Sequence, residues 1–230
     1  MTETTSSQTN ENDTSTFSCL HCTLSPISKA TGSATFTLND SLCTCLLNGP
    51  GELRQQQDAT NRLQVDITFQ ARPGNNSTNS TSTKDKLIEQ WLETLVHSTV
   101  LTEHYPRSQI NIVMYEEQNL SGEATILACL CNTLCLTMLD ANLPMKYAFA
   151  AVPIVQHPTK GLLSLPKTKD ELASTSYFVF VFEITLNDIL AMHASGDFDM
   201  KTLEQAISIA QPIARQIFQF YRQELEKRLI

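Results

Sequence analysis

Between residues 62 and 73 apolar and polar side chains alternate one for one. Leu63, Val65, Ile67 and Phe69 fall on one side, with Gln64, Asp66, Thr68 and Gln70 between them. A period of two marks a half-buried strand. The period then lengthens. In TKDKLIEQWLETLVHSTVL (83–101), Leu87, Trp91, Leu92, Leu95 and Thr99 recur at helical spacing. SQINIVMYEE (108–117) returns to alternation, with Ile110, Ile112 and Met114 on one face. Residues 123–143 lack both Gly and Pro and are followed by Pro144, a length that favours a helix over a strand. KYAFAAVPIV and SYFVFVFEITL read as strands. SATFTLNDSLCTCLLNGP (33–50) reads as two strands turned at Asn39-Asp40, with Thr35, Thr37, Cys43 and Cys45 interleaved among apolar neighbours. Residues 199–229 carry Leu203, Ile207, Ala210, Ala214, Ile217, Tyr221 and Leu225 on one helical stripe. Pro212 is expected to kink or break that helix, and Lys227 and Arg228 suit its negative end. Strands and helices mix without strict alternation, which predicts an α+β fold.

Two stretches carry no periodicity. Residues 1–16 are rich in Ser, Thr and Asn and read as a disordered tail; GNNSTNSTST (74–83) reads as a flexible surface loop. The remainder, 17–230, is expected to form a single domain. No secretory leader is expected from residues 1–16, and no run of about 18 apolar residues suggests a membrane span. The sequons at Asn75, Asn76 and Asn79 then read as polar loop composition. The formal net charge of −8 argues against a freestanding nucleic-acid binder, whose affinity comes largely from phosphate contacts. RNA contact would have to be local or shared with more basic partners.

Seven cysteines raise the question of metal or redox chemistry. Cys19-x-x-Cys22 with Cys43-x-Cys45 offers four thiolates to zinc. On a regular strand, however, Cys19 and Cys22 point to opposite faces. Cys129, Cys131 and Cys135 sit in the 123–143 helix without a His or carboxylate at ligand spacing, so they read as buried thiols. Ser164-x-x-Lys167 lacks the companion motifs of a serine-lysine nucleophile. Asp197 and Asp199 offer a divalent-ion pair or a cap for the last helix. No glycine-rich phosphate loop occurs among the seven scattered glycines. Metal and cofactor are both expected to be none.

Six stretches in order carry a resemblance: GSATF (32–36), LLNGPGE (46–52), ITFQARP (67–73), HYPRSQINIVM (104–114), LCLTMLDANLPM (134–145) and GDFDMKTLEQAISIA (196–210). Together they resemble the RNase PH family across about residues 17–230. The resemblance implies a duplicated β-α unit with mixed sheets and packed helices, of the ribosomal protein S5 domain 2-like type. Active members degrade RNA from its 3′ end by phosphorolysis. They grip phosphate at a Gly-Gly-x-Arg-type turn leading into a helix, and need two aspartates six residues apart. Aligned back from Leu139-Asp140-Ala141, the turn falls at Ala124, Thr125, Ile126 and Leu127, with Leu127 at the arginine position. The aspartate positions fall near Lys169 and Thr175; Asp170 and Glu171 lie close by, without a carboxylate six residues on.

The resemblance therefore implies a non-catalytic structural subunit of the eukaryotic RNA exosome ring. Other RNase PH-like subunits (ribosomal RNA-processing proteins 43 and 45), a cap subunit of S1/KH type and single-stranded RNA in a shared channel are its expected partners. Nucleus and nucleolus, with cytoplasm, are the expected locations. Arg54, Arg72, Lys84, Lys86 and Arg107 are candidate RNA contacts, each with a bland reading as a solvated charge. An active RNase, alone or as a homodimer, and a zinc-containing interaction module are the competing readings.

Overall fold

The computed structural model describes residues 19–52, 62–71 and 83–229. The expected tail, residues 1–16, and residues 74–82 of the expected loop lie outside the described residues. Five strands form the first sheet: β1 (Leu20–Leu24), β2 (Gly32–Leu38), β3 (Ser41–Glu52), β4 (Gln64–Gln70) and β5 (Ser108–Asn119). Their order is β1-β2-β3-β5-β4. Neighbours are antiparallel except β4 and β5, which are parallel and joined through helix α1 (Thr83–Thr99). The second sheet comprises β6 (Phe149–His157), β7 (Gly161–Ser164), β8 (Ser176–Glu183) and β9 (Ile189–Gly196), in the order β7-β6-β8-β9. All its pairings are antiparallel, so only the first sheet is mixed. Helix α2 (Glu123–Asp140) follows the first sheet, the five-residue α3 (Thr168–Leu172) sits between β7 and β8, and α4 (Met200–Leu229) closes the chain.

The periodic segments form where their patterns place them. Leu63, Val65, Ile67 and Phe69 are buried, as are Ile110, Ile112 and Met114. Two details differ. Cys43 and Cys45 do not share the polar side with the threonines: both are fully buried, while Leu42 and Leu46 are half-buried. Register is the cause, since Cys43 pairs with Phe36 and Cys45 with Ala34 on the face covered by α2. That seam is tight. A Cβ on Gly32 would come 2.6 Å from Ala141 Cβ and 2.7 Å from the Thr137 carbonyl, so small side chains are favoured there. Leu87, expected on the apolar stripe of α1, is 61% exposed. Glu89 already reaches the end of β4, where its Oε1 accepts the Phe69 N–H at 2.8 Å, so the preceding turn extends past the sheet.

Helix α2 is the centre of the molecule. Sixteen of its eighteen residues are buried, and it packs on both sheets. It is long and apolar enough to cross a membrane, contrary to the reading that no such run exists, yet its window is 89% buried inside the protein. A helix apolar all round is what an enclosed core position requires. Asn132 satisfies its own burial by clamping β6: its Oδ1 accepts the Ala151 N–H (2.7 Å) and its Nδ2 donates to the Ala151 carbonyl (3.0 Å). Helix α4 runs through Pro212 as one element, with Pro212 exposed. Its buried Ala210, Ala214, Ile217 and Tyr221 join the same core, and Phe220 and Tyr221 meet the Phe36 ring edge-on.

Candidate functional site

Helix α2 begins after Gly122, which has extended backbone and no side chain to cap the first turn. The first amides of any helix need acceptors. Here the acceptor comes from α3. Glu171 Oε1 accepts the N–H of Ala124 at 2.7 Å and of Thr125 at 3.2 Å, and Oε2 accepts the Thr125 hydroxyl at 2.6 Å. Ala124 and Thr125 are fully buried, and Ile126 and Leu127 nearly so. Leu127, 6% exposed, belongs to the hydrophobic core and presents no charge to the helix start.

Beside this start stands a second polar group. Glu123 accepts Lys84 Nζ and the Tyr177 hydroxyl, each at 3.0 Å. The Lys84 ammonium holds the Glu123 carboxyl below its ordinary range, with help from Tyr177. Burial, then Glu123, pushes the Tyr177 hydroxyl up to about 12. The Tyr177 ring tilts over His193 at 5.9 Å, and His193 meets Trp91 edge-on at 6.2 Å. Both carboxylates near the helix start are thus committed to internal donors.

The sequence candidates separate in space. Lys169 lies exposed on α3; exposed Thr175 bonds the Gln156 carbonyl through its N–H (3.0 Å) and hydroxyl (3.3 Å). It is Glu171, between them, that reaches α2. Arg54 and Arg72 lie outside the described residues. Lys84 and Lys86 occupy the first turn of α1, and Lys86 shares a surface hollow with Gln64, Asp66, Glu89 and Glu93. Arg107, in a left-handed turn (φ 59°), precedes β5. Glu52↔Ser108 and Gln64↔Gln109 pair at that end of the sheet.

The two cysteine pairs of the zinc reading do not form one four-ligand set. Phe36 of β2 lies between Cys22 and Cys43 in register, which sets them about 10 Å apart. Among the described residues no group of three or more His, Cys, Asp or Glu is placed to hold a metal. Burial pushes the thiols of Cys22, Cys45 and Cys135 up to about 12, and those of Cys43 and Cys131 well above the ordinary value. They pack as small apolar side chains.

Residues 17–144 match the pattern of RNase PH, the 3′ exoribonuclease family, domain 1. The chain belongs to this family. Its two-sheet, helix-centred architecture is the RNase PH-type fold. The chain is 28% identical over 217 residues to the exosome complex component RRP46 homolog of Caenorhabditis elegans, covering 91% of this chain and 94% of that protein. Among solved structures it resembles rice (Oryza sativa) Rrp46, with a TM-score of 0.80 at 17% identity over 90% of this chain and 94% of that one. It also resembles the Archaeoglobus fulgidus exosome with RNA bound to the active site, with a TM-score of 0.74 at 13% identity over 88% and 87% of the two chains.

Glu171 is the site residue that sequence reasoning passed over. It was visible as an acid near the aspartate positions, but its target lies 46 and 47 residues upstream. The one available signal was negative: a helix start preceded by Gly122 must find its acceptor elsewhere.

Proposed function

We propose that this chain is a non-catalytic structural subunit of the RNA exosome core ring. The observation that carries the reading is Leu127. The resemblance puts a phosphate-binding arginine at that position, and the residue present is apolar and sunk in the core. Phosphorolysis depends on placed charge around the phosphate, and a buried leucine supplies none. Lys169 and Thr175, at the positions of the paired aspartates, supply no carboxylate. Similarity to exosome components along most of the chain supports membership of the ring.

In this role the chain pairs with other RNase PH-like subunits, ribosomal RNA-processing proteins 43 and 45. It sits beneath an S1/KH-type cap subunit and lines part of a channel through which single-stranded RNA reaches a separate nuclease. A heterologous interface that closes on itself produces such a ring. The setting is the nucleus and nucleolus, with a cytoplasmic share. The test has two arms. The pure chain, given inorganic phosphate and a 3′-tailed single-stranded RNA, is expected to release no nucleoside diphosphate; release overturns the non-catalytic reading. On size-exclusion chromatography with RNase PH-like ring subunits the chain is expected to co-elute with at least one of them; a monomer in every mixture overturns the ring assignment.

A further inference from the structure

We propose that Glu171 is a built-in occupant of the α2 start: its carboxylate takes the hydrogen bonds a free oxyanion would take there, and so keeps inorganic phosphate off the chain. The inference deepens the non-catalytic reading, and rests on it only for the identity of the excluded ligand.

Three donors converge on this carboxylate, from the Ala124 and Thr125 amides and the Thr125 hydroxyl, at 2.6–3.2 Å. Two successive amides at a helix start, aided by a hydroxyl, are the donor set that binds phosphate in many proteins. Among the described residues no ion pair involves Glu171; its neighbours in sequence and space are committed elsewhere, Lys160 to Asp170 and Lys84 to Glu123. With 7% of its surface exposed and no ion pair among the described residues, the carboxylate relies on the helix start for compensation.

The site is also shaped for the carboxylate. A Cβ on Gly122 would stand 2.5 Å from Glu171 Cδ and 2.6 Å from Oε1, so a larger residue there would expel it. Ser121, one residue earlier, carries a buried hydroxyl without a hydrogen-bond partner among the described residues, a further donor at the same entrance to the helix. Helix α3 is tied down as well. The Glu171 N–H donates to the Lys167 carbonyl, and its own carbonyl accepts from the Ser174 N–H and hydroxyl. A phosphate would therefore have to displace a fixed carboxylate and then sit against Ile126 and Leu127, with no guanidinium in return.

The experiment is a titration of the full chain with inorganic phosphate at constant ionic strength, read at the backbone amides of Ala124 and Thr125 by NMR. In the wild type those amides are expected not to respond saturably. In Glu171→Ala and Glu171→Gln they are expected to shift saturably, with phosphate affinity at least about tenfold above wild type, the scale of one charge-assisted contact. Formate is expected to restore the melting temperature of Glu171→Ala more than chloride does. A saturable wild-type response overturns the proposal, as do folded variants that bind phosphate no better than wild type. If neither variant folds, the wild-type titration decides alone. Co-elution of the variants with ring subunits reads the ring assignment separately: its loss leaves the phosphate result standing, and its retention does not rescue a failed titration.

Discussion

Lys84 and Glu123 show how little an exposed pair contributes and how clearly it still reports. Their side chains are 79% and 65% exposed, so the pair stabilises the fold by less than about 1 kcal/mol. The Glu123 carboxyl is nevertheless held below its ordinary value of 4.5, first by the Lys84 hydrogen bond. A depressed folded value means that the contribution is fully present above pH 4.5 and is lost as pH falls through the lower folded value. Lys84→Ala is expected to move the Glu123 titration up towards 4.5, measured by carboxyl carbon NMR, with no resolvable change in stability at pH 7. An unmoved titration would remove Lys84 as the cause. Lysine 84 stood out in the sequence as a cation after a polar loop. Its partner did not, because Glu123 belongs to another helix.

At the scale of elements, the two long helices are held end to end by one buried carboxylate. Asp140, at the end of α2, accepts the Ser25 hydroxyl (2.8 Å), the Ser33 N–H (2.9 Å) and Arg228 of α4. These partners lie 115, 107 and 88 residues away in sequence. Removing a buried acceptor strands its donors, so Asp140→Ala is expected to cost about 2–4 kcal/mol in denaturant unfolding. Arg228→Ala, whose side chain is 49% exposed, is expected to cost less than about 1 kcal/mol. Equal costs would show that the clasp acts through Arg228 alone. Asp140 was legible as part of a family motif, but not as a clasp. Helices α1, α2 and α4 were legible because their periodicity runs over several turns. Strands β7 and β9 and helix α3 were not. β7 has four residues and α3 five, too few to show a period, and the burial of β9 does not alternate.

At the scale of the molecule, α2 joins the sheets into one core. Leu134→Ala, at a fully buried position, is expected to cost about 2–5 kcal/mol and to weaken both sheets together. Hydrogen exchange at β3 and β8 amides checks this: equal loss of protection supports a single cooperative unit, and loss confined to one sheet contradicts it. Which of the longer periodic segments are strands and which are helices was determined by the sequence alone, because those choices depend on neighbours two to four residues away. The order of family motifs, likewise linear, pointed to the RNase PH fold. The tertiary structure decided the rest. It turned Cys43 and Cys45 into the core and brought Glu171 onto the start of α2. Register, packing and hydrogen bonding between distant segments settle such matters, and no local pattern along the chain encodes which buried carboxylate will meet which helix end.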